Sequence, residues 1–150
     1  SADQIYLSAL LANFGQLVLV HHFPNEMNQI FEESEGDLDV QLEQQAQKIG
    51  MTQSDAGVLL GRRWHLPTMV INTMHHYLEP GYEGQDWAVS RLVGEVTYLV
   101  NRVARGDDDL ELSPVCEKIL KTSSDDCNLH ELKDLRSELL TIAKHLQKGA

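Results

Sequence analysis

Apolar residues recur along this chain at the three- and four-residue spacing of helices, and no pair of strand-like runs exists that could form a sheet. Ile5, Leu7, Leu10, Leu11 and Phe14 follow the helical period up to Gly15. The run Leu17-Val18-Leu19-Val20 that follows could be a short buried strand. Alone, it would leave its backbone groups unpaired, so it reads as helix. The expected fold class is therefore all-α, a multi-helix bundle.

Breakers and caps divide the pattern. Pro24 suits the first turn of a helix with Met27, Ile30 and Phe31 inward and Gly36 just past its end. A linker at residues 37–39 precedes a polar helix carrying Leu42, Ala46 and Ile49 inward, stopped near Gly50. Thr52 and Asp55 have capping-box spacing and open a helix with Ala56, Leu59, Leu60 and Trp64 inward. Trp64, Leu66 and Pro67 are expected to pack as a buried corner. Val70, Ile71, Met74 and Tyr77 line the next helix, and Glu79-Pro80-Gly81 forms a loop. The longest pattern, residues 87–105, puts Trp87, Leu92, Val93, Val96, Leu99, Val100 and Val103 on one face. Ser113-Pro114 opens a short helix, and Asn128 with Glu131 caps a last one.

Length and composition bound the function. A chain of 150 residues, 42% apolar and 23% charged, suits one soluble globular domain. A net charge of −11 disfavours nucleic acid and anionic membrane surfaces as partners. No apolar run is expected to reach the roughly 18–20 residues of a membrane span, and Ser1-Ala2-Asp3 has no signal-peptide pattern, so a cytoplasmic location is expected. Cys116 and Cys127 form no disulfide framework and read as inert thiols.

Seven histidines raise the question of a metal. His21-His22 and His75-His76 are adjacent pairs, but no His-x-x-x-His or His-Asp dipeptide occurs. A hydrolytic centre needs three or more converging ligands, a carboxylate usually among them. No nucleophile elbow or phosphate-binding glycine loop is present. Gly57 and Gly61, four apart, read as helix packing, and Arg62-Arg63 as a solvated face. Asp107-Asp108-Asp109 lacks the loop geometry that calcium requires and reads as a solvated connection.

Leu10-Leu11-Ala12-Asn13-Phe14-Gly15-Gln16-Leu17-Val18-Leu19 resembles the HDOD domain family, relatives of the HD phosphohydrolases, which carry Leu-Leu-His-Asp-Ile-Gly-Lys/Arg-Leu-Val-Leu there. His22-Phe23-Pro24 is similar to the family's Phe-Pro step, and residues 43–50 to its polar helix ending in glycine. Residues 53–60 with Arg63-Trp64-His65-Leu66-Pro67 resemble its His-Ala-Glu-Val-Gly-Ala helix and Arg-Trp-x-Leu-Pro turn. Met74-His75-His76-Tyr77 and Glu79-Pro80 resemble its Ile-x-His-His stretch and following Asp-Pro. The likeness covers residues 7–103 and the family's second half. It implies a helical bacterial module, residues 1–150 forming a single HDOD-like domain within a longer signalling protein, with 107–150 as a C-terminal helical extension.

The departures bear on function. Ala12 and Asn13 stand where the resemblance places His-Asp, Gln53 where it places the helix-opening His, and Thr97 where it places a late Asp. Only His75 and His76 remain of this vestigial site, too few to hold a catalytic ion. The expectation is no catalytic residue, metal or cofactor. The chain is read as a non-catalytic signal-transduction module acting through a protein partner, such as an output domain of a response-regulator-type protein. The alternative is a metal-dependent phosphohydrolase of the HD superfamily acting on a nucleotide or other phosphate ester. It would need His21 or His22, His75 or His76, and Asp55 or Glu95 to converge. A third reading has the emptied pocket hold a small anion on its amides.

Leu132, Leu135, Leu139, Ile142 and Leu146 form a heptad-like stripe on the last helix. Leu135, Leu139, Ile142 and Leu146 are the expected partner contacts, with a homodimer through the distal part of the stripe. Sedimentation of the intact chain should then show self-association between micromolar and near-millimolar concentration, whereas a folded chain truncated after Lys133 should stay monomeric. Two monomers would end the self-association reading.

Overall fold

A computed structural model describes residues 2–107, 111–123 and 141. The described residues form eight helices and no strand: α1 (Ala2–Leu11), α2 (Phe14–His22), α3 (Pro24–Ser34), α4 (Leu38–Lys48), α5 (Gln53–Arg63), α6 (Thr68–His76), α7 (Trp87–Ala104) and α8 (Pro114–Ser123). The all-α expectation holds, and Leu17 to Val20 lie in a helix. The heptad residues Leu132, Leu135, Leu139, Ile142 and Leu146 lie outside the described residues.

Local chemistry accounts for most boundaries. Pro24 opens α3, where its missing N–H costs nothing. Gly36 past the end of α3 has φ +81°, and Gly50 past α4 has φ +84°, values that glycine adopts without a Cβ clash. Asp37 caps α4 by accepting from Asp39 N and Val40 N. Thr52 and Asp55 complete the capping box of α5. Residues 37–39 are less a free linker than a docking point. Tyr98 Oη donates to Asp39 (2.6 Å), Asn101 Nδ2 to Gly36 O (2.6 Å), and Arg105 pairs with Asp37 (3.2 Å).

Helix α6 lies at the centre, packed on α1, α5 and α7, while α2 packs on α5 and α3, and α8 on α7. One apolar cluster gathers Ala12, Leu38, Tyr77, Leu78 and Val93, and a second gathers Leu19, Met27, Ile30 and Ala56. Asp3–His22 is in fact long and apolar enough to cross a membrane by length and composition, against the sequence expectation. In the fold it bends at Ala12-Asn13, and Ser8, Ala12, Gly15 and Leu19 are buried in the bundle.

Several inward faces differ from those expected. Helix α4 buries Leu38, Gln41 and Gln45 and exposes Ala46. Helix α5 buries Gln53, Ala56, Gly57, Val58 and Gly61 and exposes Leu59. Trp64 is 52% exposed and meets Phe14 edge-on at 6.2 Å, so the buried corner does not form. In α7, Ser90, Val93 and Gly94 face inward, while Trp87, Val96 and Val100 are exposed. The common cause is close approach: small residues let backbones meet, and larger neighbours are turned out.

Gly15 does not end a helix; it lies within α2 against the start of α5. A Cβ there would fall 1.8 Å from Gln53 O and 2.7 Å from Gly57 N. A Cβ on Gly94 would fall 1.7 Å from Tyr77 O. At Gly57 it would meet Met74 Cε at 3.4 Å and Met74 Cβ at 3.5 Å, ordinary contact, and at Gly61 it would press on Ile71 Cγ1 at 3.1 Å, so both glycines pack on side chains of α6. Gly15→Ala should therefore cost about 3 kcal/mol or more, since backbone cannot yield as a side chain does. Gly57→Ala should stay within about 1 kcal/mol, its helix propensity offsetting the contact. Urea denaturation of the two variants checks the contrast, and equal midpoints would contradict it.

Candidate functional site

The α1–α2 turn, the start of α5 and the end of α6 meet where the resemblance places a metal. Gln53 is 1% exposed, too buried for water to satisfy its amide. Its backbone N–H donates to Gln45 Oε1 (2.8 Å). That bond fixes which end of the Gln45 amide is oxygen, so Gln45 Nε2 donates to Gln53 Oε1 (3.1 Å). Gln53 Nε2 must then donate onward, and it reaches Tyr77 Oη (2.7 Å). The phenol passes its own proton to Asn13 Oδ1 (3.1 Å). The directions from Gln45 through Gln53 to Tyr77 follow from one backbone N–H.

The chain is neutral throughout. Burial pushes the Tyr77 phenol up to about 12, only partly countered by the bond from Gln53. Ala12 lies beside it in the same core cluster, 1% exposed, with a methyl group where a ligand would project. Asn13 and Gln53 are thus brought together through Tyr77. Thr97 is not part of the chain; its hydroxyl donates to Val93 O of its own helix (2.8 Å). Amides that hold one another leave few donors for the small anion considered above.

His75 and His76 lie on the outer side of this region. Their rings are 4.0 Å apart, and Glu79 Oε2 sits 3.1 Å from His76 Nδ1. His76 also stacks on Tyr82, centroids 3.7 Å apart and planes 3° from parallel. His75 and Glu79 border a cleft of about 170 Å³ that also takes in Thr52, Ser54 and Asp55. The other residues of the phosphohydrolase alternative lie elsewhere. His21 and His22 face each other edge-on at the end of α2, both exposed. Glu95 accepts from Ser113 N and Oγ at the start of α8. Burial raises its pKa, but bonds from Cys116 and Ser113 outweigh that and hold the carboxyl below its usual value. Burial pushes the neighbouring Cys116 thiol up to about 12, consistent with an inert cysteine.

The HDOD domain model matches residues 1–80, the first half of the chain. The chain belongs to the HDOD domain family. No curated protein and no solved structure matches it. The matched part of this HDOD domain contains α1 to α6, and so the whole amide–phenol chain and the histidine pair.

Three residues of the site were not singled out in the sequence. Gln45 sits in a polar helix whose inward face was expected to be Leu42, Ala46 and Ile49. Tyr77 was expected inward, but nothing marked its hydroxyl. Glu79 follows His76 by three residues, a spacing that signals contact across a helix end. Gln53→Leu should leave the Gln45 amide and the Tyr77 oxygen short of partners and cost about 1–3 kcal/mol. Asn13→Ala, at the exposed end, should cost less than about 1 kcal/mol. Denaturation midpoints decide, and the reverse order would show that the chain is not structural.

Proposed function

We propose that this HDOD domain is a non-catalytic regulatory module of cytoplasmic signal transduction that works through protein–protein contacts, as an output domain of a response-regulator-type protein would. The observation that carries the reading is the amide–phenol chain. Asn13, Gln53 and buried Ala12 stand where the resemblance puts the ligands of the related hydrolases; the Gln53 amide is spent on Gln45 and Tyr77, and Asn13 Oδ1 on Tyr77. An amide bound to a phenol is a poor ligand for a hydrolytic ion beside carboxylate or imidazole. These residues do not fit a catalytic metal, and no step is derived through one. Exposed Leu10, Leu17, Leu59 and Trp64 on α1, α2 and the end of α5 offer apolar area for a protein partner. The free, buried Cys116 suits a reducing compartment.

The grouping of His75, His76 and Glu79 favours one second reading, a phosphohydrolase with a relocated ion. Hydrolysis of bis-p-nitrophenyl phosphate and of nucleotides, with magnesium, manganese, iron(II) or zinc supplied, separates the two. No turnover above the metal-only control is expected. Turnover that disappears in His76→Ala would sink the regulatory reading in favour of the enzyme.

A further inference from the structure

We propose that His75, His76 and Glu79 form a binding site for one divalent transition-metal ion, of the zinc, nickel, copper or cobalt class, on the outer side of the bundle. Adjacent residues on a helix point about 100° apart, so a His-His pair does not ordinarily converge. Here α6 ends at His76, and the turn that follows brings Glu79 N onto His76 O (3.0 Å). That turn carries the Glu79 carboxylate back to the imidazoles, and the ligand atoms of all three residues lie within 4.8 Å of one another. The His76 ring is held in place by its stack on Tyr82, and Tyr82 Oη is anchored in turn on Gln85 O (2.9 Å). One ligand is thus preorganised, while His75 and Glu79 are exposed and free to close by the ångström or so that separates this spacing from the roughly 3.3 Å between donors around a tetrahedral ion.

The donor set names the class of ion. Two imidazole nitrogens and one carboxylate oxygen suit borderline transition ions, whereas magnesium and calcium take all-oxygen sets. Three protein ligands leave a coordination position that would face the cleft beside Asp55. The net charge of −11 adds a general attraction for cations. This revises the expectation of no metal at His75 and His76, which counted imidazoles and left out Glu79. It does not rest on the regulatory reading, because binding is measured without turnover.

The test is calorimetric titration of the untagged full chain with zinc chloride, paralleled by cobalt(II) absorption. One ion per chain is expected, with no heat from magnesium. His75→Ala and Glu79→Gln, both at exposed positions, should each weaken zinc binding at least about tenfold. The His21→Ala/His22→Ala double variant should bind as the parent does. Melting curves confirm that each variant is folded, and should His76→Ala fail to fold, the two exposed variants carry the test. Absence of zinc binding, parental affinity in both exposed variants, or loss of binding in the double variant would overturn the proposal.

Discussion

The side-chain amide of Gln53 is the point on which the bundle's arrangement turns. A primary amide has donors at one end and an acceptor at the other, and burial requires both ends to be matched. Gln45 of α4 matches one end and Tyr77 at the end of α6 the other. Three successive helices are thereby set in one mutual position, and Asn13 adds the distant α1–α2 turn. The two closest backbone approaches flank the same residues: Gly15 presses on the carbonyl of Gln53, and Gly94 on that of Tyr77. Side-chain polarity and backbone contact thus constrain one place from two directions.

Helix existence was legible because it depends on neighbours in the chain. Thr52 with Asp55, Pro24, Pro114 and Gly36 each act within four residues, and each did what its chemistry implies. Helix faces were less legible. Reading the large apolar residues as inward puts Leu59, Trp64, Val96 and Val100 in the core, yet all four are exposed. Small residues decide the matter, because Gly57, Gly61, Ser90 and Gly94 let helices approach where a leucine would hold them apart. The bend at Ala12-Asn13 was likewise misplaced to Gly15, whose lack of a side chain serves a neighbour rather than a turn.

The site divides along the same line. That residues 12, 13 and 53 carry no ionisable side chain is plain from residue type alone. What they do instead is not, because the partnership of Gln45, Gln53, Tyr77 and Asn13 spans 64 residues between its most distant bonded members. Thr97, placed by loose correspondence, turns out to bond to its own helix. The inner and outer parts of the region differ in chemistry: amides closed on themselves within, imidazoles with a carboxylate at the surface.

The one-way order of the hydrogen bonds makes its members hard to exchange one at a time. An imidazole at position 53 would keep the backbone bond to Gln45 Oε1 but forfeit the side-chain amide that joins Gln45 to Tyr77. An aspartate at 13 would meet the phenol of Tyr77 and still find no imidazole opposite. Each single exchange carries a loss that no second group yet offsets.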